Sequence, residues 1–213
     1  MAKMEDVLRV YARPCDPARP VVCFDEAGKE VRADVRSPLP LAPGHPARED
    51  GEYARHGSAN SFLWVAPRLG RRQVTVHTQR TARDFAHAIR ELVDGAFPAA
   101  EQIVLVLDNL NIHDPASLYK AFPPAEAARL WSRLELHYTP KHGSWLNMAE
   151  LELSPLTRQC LARHIPDQHT LAHEVAAWAA ARNRAGVRIT WRFTVEDARS
   201  ALTHLYPVLD AAT

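Results

Sequence analysis

Hydrophobic positions run unbroken from Ile103 to Leu107 and stop at Asp108. A short apolar run rich in Val, Ile and Leu predicts a strand buried on both faces. Val21 to Phe24 make a second such run, which also stops at an acid, Asp25. Phe62 to Val65 predicts a third strand. The segment PRLGRR then reads as a turn with a basic tip, and Gln73 to His77 as the return strand of a hairpin. Leu134 to Tyr138 alternates apolar and polar residues and predicts another strand. Helical spacing appears between the strands. Phe85, Ile89, Leu92 and Val93 predict an amphipathic helix over residues 81–94, with Gly95 at its end. Residues 116–122 and 125–131 predict two short helices split by Pro123 and Pro124, and a further helix begins near Asn147. Strands alternating with helices predict an α/β domain.

The rest of the pattern adds little regular structure. Residues 1–20 read as a connecting segment, with the end of a helix at Met4 to Tyr11 and prolines at 14, 17 and 20. Residues 37–57, rich in Pro and Gly, read as a loop. The 213 residues are 46% hydrophobic, enough for one sizeable core. With 26 basic and 25 acidic residues, the net charge of +1 gives no global pull toward a polyanion, so any such site must be a local patch. Cys15, Cys23 and Cys160 form no CxxC pair, which argues against a disulfide framework or zinc ribbon and fits a reducing cytoplasm. No run reaches membrane-spanning length and no signal peptide is evident.

Candidate chemistry begins with the two acids. Carboxylates on neighbouring parallel strands repel each other, and a divalent cation between them resolves that cost. The alternative is two strand-end aspartates that only cap turns. Residues 139–152 (TPKHGSWLNMAELE) supply a third acid. Glu150 lies in the first helical turn, either as a metal ligand or as the N3 partner of a capping box with Asn147. Glu152 is its rival, but points about 200° around the helix. Arg68, Arg71, Arg72 and Arg80, around the hairpin, could touch phosphates or simply face solvent, and a second arginine cluster follows at 182, 184, 188 and 192. His169 and His173 have a zinc-permitting spacing without HExxH, which favours a solvated face. His113, His137 and His142 could gather near the acids. Trp178 and Trp191 read as packing residues.

The residues resemble the DDE catalytic domain of insertion-sequence transposases related to the Tc/mariner elements. VVCFDE resembles the first-aspartate strand, and VLVLDNLNIHDPASL the second with its Asn and His. HYTPKHGSWLNMAELELSPLTRQCL resembles the block that carries the third acid, and ITWRFTVEDARSAL the family's tail. The resemblance implies a ribonuclease-H-like fold over residues 21–206, with a mixed central sheet flanked by helices and a C-terminal tail at 207–213. It implies Asp25, Asp108 and Glu150 as catalytic ligands of Mg²⁺ or Mn²⁺, two ions in all. Asn109, Asn111, His113 and Asn147 would support the ligands or position DNA. The implied activity is metal-dependent DNA cleavage and strand transfer, with element ends and target DNA as partners and a homo-oligomeric synaptic complex. The chain departs from the family at Met148-Ala149, where Pro-Ile is usual, and at Pro155, which would kink the helix carrying Glu150. No helix-turn-helix segment precedes Asp25, so the alternative expectation is a truncated remnant that keeps the fold and weak, non-specific DNA binding.

Overall fold

A computed structural model describes residues 1–36, 39–46 and 51–206. The expected tail at 207–213 and parts of the loop at 37–57 lie outside the described residues. Five strands form one mixed sheet in the order β3-β2-β1-β4-β5. They are β1 (Val21–Asp34), β2 (Tyr53–Ala66), β3 (Arg71–His77), β4 (Ile103–Leu107) and β5 (Leu134–Tyr138). β1 pairs antiparallel with β2 and parallel with β4, and β4 pairs parallel with β5.

Period-2 alternation divides the apolar residues between two cores. Ile103, Leu105 and Leu107 join Val22 and Phe24 against α2 (Ala82–Arg90), α3 (Ala116–Ala121) and α4 (Pro124–Ser132). Val104, Val106 and Cys23 face the other way, onto α1 (Ala2–Ala12), α5 (Met148–Leu156), α6 (Gln168–Arg184) and α7 (Val195–Ala201). All five residues of β4 are buried. At about 2 kcal/mol for each fully buried large aliphatic side chain, this strand is a stiff support for whatever follows it.

Two expectations change. β1 does not stop at Asp25 but continues to Asp34, paired with an equally long β2. The outer half of this ribbon, residues 26–34 against 53–62, is largely polar, so no hydrophobic run announced it. The segment read as a connector contains α1, whose Met4, Val7, Leu8 and Tyr11 recur at helical spacing and are buried. α1 is therefore part of the core.

The helix near 81–94 begins with a capping box of Thr81 and Asp84 and ends in a wider π-helical turn, Glu91–Ala96. Pro155 sits within α5, and the chain loosens into a second π-helical turn, Thr157–Leu161, only beyond it. The start of α5 thus keeps regular geometry despite the proline. Among the described residues, no helix is long and apolar enough to cross a membrane.

Candidate active site

β1 and β4 pair only from Val21 to Cys23. Beyond that point the strands diverge, and β4 ends at Leu107. Asp25 and Asp108 stand at this opening, the position where open α/β sheets place ligands. Alternation puts Asp25 on the same face of β1 as Cys23, the face covered by α5. Burial is the main cause of a pKa raised to about 7, and the nearby carboxylates of Glu26, Asp108 and Glu150 push in the same direction. The backbone N–H of Glu26 donates to Asp25 Oδ1 at 2.8 Å and opposes the rise.

Asn147 fixes the third acid. Its Oδ1 accepts from the Ala149 N–H at 3.1 Å, capping α5, and its Nδ2 donates to the Phe24 carbonyl at 2.9 Å. The helix start is thus tied to the residue before Asp25. No capping box forms here, unlike at α2 and α7. Glu150 is therefore not used as a cap, and its Oε2 is buried without a hydrogen-bond partner. Glu152 points away, as the helix geometry predicts. Its carboxylate is 3.0 Å from Arg182 Nη2 and 3.3 Å from Arg72 Nε, inside the protein.

Asp108 is held from below. The Leu110 N–H donates to its Oδ1 at 2.9 Å, and His113 Nδ1 lies 2.8 Å from the same oxygen. His113 Nε2 lies 2.6 Å from Glu26 Oε1. The His113 and Glu26 side chains are 0% and 2% exposed, whereas that of Asp108 is 47% exposed. Burial opposes charging of the ring, but its two carboxylate partners prevail and lift the His113 pKa to about 9. The same hydrogen bond, with help from the charge of Arg80, holds Asp108 below the usual carboxylate range.

Other expected residues fall in several places. Asn109 braces strand ends: its Nδ2 donates to the Thr139 carbonyl and its Oδ1 accepts from Lys3. Asn111 is exposed in the turn after β4. His137 stands apart between Asp6 and Glu135. His142 lines a groove of about 780 Å³ with Asp108, Asn109, Lys141 and Ser144. It sits at φ 62°, followed by Gly143, where an added Cβ would meet Pro140 Cγ at 2.5 Å. His169 and His173 are exposed on α6.

Arg72 is a correction. Its side chain is fully buried against Glu152 and cannot touch a DNA backbone. Strand pairing of Ala66 with Arg71 puts the hairpin tip at the far end of the sheet. There Arg68 donates to the Tyr11 and Arg13 carbonyls, and Arg71 donates to the Ala96 carbonyl. Of the four arginines only Arg80 stays beside the carboxylates.

Glu26 escaped the sequence reading. The signal was the acid pair Asp25-Glu26 on one strand: if β1 continues past Asp25, Glu26 must share the face of Phe24 and point at whatever packs there.

Among the described residues, no group of three or more His, Cys, Asp or Glu side chains is arranged to hold a metal ion as it stands. The charges of Asp108 and Glu150 nevertheless reach Asp25, and one oxygen of this set, Glu150 Oε2, is buried and unsatisfied. That combination fits a hard divalent cation.

Residues 20–172 match the model of the DDE superfamily endonucleases. The chain belongs to the DDE superfamily endonuclease family. That is a family of divalent-metal-dependent nucleases, so an all-oxygen donor set is the expected kind of site. The fold is also similar to the Mos1 mariner paired-end complex with Mn, at a TM-score of 0.57 and 15% identity over 87% of this chain. The Mos1 complex with Mg gives a TM-score of 0.51 at 16% identity, again over 87% of this chain. These matches support the ribonuclease-H-like fold of this DDE endonuclease domain, which spans 56% of the length of either protein. No curated protein matches the chain significantly.

Proposed function

We propose that this chain is the catalytic domain of a transposase, which cleaves DNA phosphodiesters at element ends and transfers the strand to target DNA. Asp25, Asp108 and Glu150 would hold two Mg²⁺ or Mn²⁺ ions. When bound, the ions supply the positive charge that acidifies an attacking water or 3′-hydroxyl and stabilises the leaving oxygen. The chain's own residues set the stage for that chemistry. Asn147 holds α5 against β1, so that Glu150 stands beside Asp25. Leu110 N–H and His113 orient Asp108. Arg80, exposed beside Asp108, is placed to contact a phosphate that flanks the scissile one. No side chain acts as the nucleophile.

The observation that carries this reading is the buried, unpartnered Glu150 Oε2 near an aspartate whose pKa is pushed up to about 7, first by burial and then by the neighbouring carboxylates. A carboxylate oxygen of this kind is costly unless a ligand satisfies it. DNA as substrate is supported by the similar Mos1 structures, which are paired-end complexes; a homo-oligomer that pairs two ends is part of the proposal. The test is nicking of supercoiled DNA in Mn²⁺. Cleavage by the unmodified chain that falls to background in E150Q, at a metal-free melting temperature no lower than before, is the expected result. Equal cleavage by both would overturn the assignment.

A further inference from the structure

Buried polar groups that touch no substrate call for an explanation, and the most enclosed set lies under Asp108. Glu26 and His113 are joined at 2.6 Å, with side chains 2% and 0% exposed. The imidazole is fixed on every side. Phe85 packs against it at 4.8 Å between ring centres, and Phe24 meets it edge-on at 5.8 Å. Its backbone N–H donates to the Leu110 carbonyl at 2.9 Å, and its carbonyl accepts from the Tyr138 hydroxyl at 2.7 Å. The one exposed end of the chain of contacts is the carboxylate of Asp108, bonded at 2.8 Å. Without that bond, the half-exposed carboxylate would be held by the Leu110 N–H alone, a single contact that leaves its side-chain torsions loosely set.

A buried ion pair is weak support for stability, since apolar residues of similar size often do as well. Its better-attested value is geometric. From this arrangement we infer that Glu26 and His113 are positioning residues for the carboxylate site. Glu26, rooted in β1, aims the ring. The ring holds Asp108 Oδ1, which also receives the Leu110 N–H. Asp108 therefore offers the site one oxygen, Oδ2, at a height set by β1, the strand that carries Asp25. The two aspartates are spaced by a rigid side-chain strut across the point where their strands part. This inference rests on the proposed carboxylate site.

Its test separates positioning from folding. Four variants are compared with the unmodified chain in melting temperature, in the Mn²⁺ concentration that gives half of the thermal shift, and in kcat and KM for nicking. E26Q keeps an oxygen that can accept from Nε2–H and is expected to stay within about threefold of the unmodified chain. E26L with H113F replaces the buried pair by apolar residues of similar size. It is expected to melt at or above the unmodified temperature, yet to need at least tenfold more Mn²⁺ and to lose at least tenfold in kcat, with KM for DNA little changed. H113N places its amide near the position of Nδ1 and keeps the Asp108 bond. H113Q places it near Nε2 and drops that bond. H113N is therefore expected to bind Mn²⁺ more tightly than H113Q at similar melting temperature.

A folded E26L/H113F chain with unchanged Mn²⁺ response and kcat would overturn the inference. If that chain does not fold, equal Mn²⁺ binding by H113N and H113Q would overturn it instead. An unmodified chain that shows no Mn²⁺ response at all would remove the carboxylate site itself, and the inference with it.

Discussion

The amide of Asn147 reaches the carbonyl of Phe24 at 2.9 Å, so a helix cap and a strand edge are joined by one side chain. Both ends of that side chain are buried and used. N147A leaves the Phe24 carbonyl and the Ala149 N–H without partners. Stability is expected to fall by on the order of 3 kcal/mol, read as a lower urea midpoint. N147D keeps the cap acceptor but sets a carboxylate oxygen against the Phe24 carbonyl, and is expected to do no better. A midpoint unchanged in both would show that the tie is dispensable.

Glu150 and Glu152 are two residues apart with opposite expected responses. E150Q removes a charge from an oxygen that lacks a partner, so the metal-free protein should be as stable as before or more so. E152Q weakens the one carboxylate that, among the described residues, faces Arg72, a fully buried guanidinium. Breaking such a pair costs about 3–5 kcal/mol when one partner is lost entirely, so a loss of about 3 kcal/mol is expected here. Thermal melts without metal read both effects. E152Q is therefore no neutral control for E150Q, although helix geometry alone suggests one.

The pH dependence of the metal-free chain has a definite sign. Asp25 has a folded-state pKa of about 7 against an ordinary value near 4. Between those values the folded state binds more protons than the unfolded, so stability falls as pH rises from about 4 to about 7. His113 is raised to about 9, so its contribution is full below about 6.5 and is lost as pH rises through 9. Both groups act in the same direction. Urea midpoints in EDTA are expected to drop from pH 5 to pH 9, and D25N should flatten the lower half of that drop. A rising midpoint over this range would contradict the placement of both groups.

Arginines around the hairpin should separate cleanly. R80A is expected to weaken DNA binding and to lower the slope of log affinity against log salt by about one, with stability unchanged. R68A and R71A, at the far end of the sheet, should leave binding unchanged. R72A should lower the melting temperature sharply instead. Fluorescence anisotropy with a duplex at several salt concentrations, beside thermal melts, tests all four.

β4 and β5 begin and end where the residue pattern puts them, because a five-residue apolar run and a strict alternation leave little choice of register. The positions of Asp25 and Asp108 beside buried strand residues could be read for the same reason, and that of Asn147 as the N-cap of a helix. Arg72 could not, and Glu26 only as far as the face it shares with Phe24, not its partner. Both are charged residues in the interior, and their partners, His113 and Glu152, are distant in sequence. Local pattern carries no information on a pair that only tertiary packing creates. The polar outer half of β1 was illegible for a related reason. Its partner is the equally polar start of β2, so the pairing rests on backbone hydrogen bonds and ion pairs such as Arg55 with Glu30 at 3.0 Å.

Because successive residues of β1 and β4 enter opposite cores, neither layer of helices can peel away without baring one side of both strands. Partial melting would therefore expose the strands that carry Asp25 and Asp108, whichever layer went first. The protein should lack a half-open form that keeps its carboxylates in place. Loss of the metal response and loss of the fold should coincide as one cooperative event, and limited proteolysis of the strand amides should begin only there.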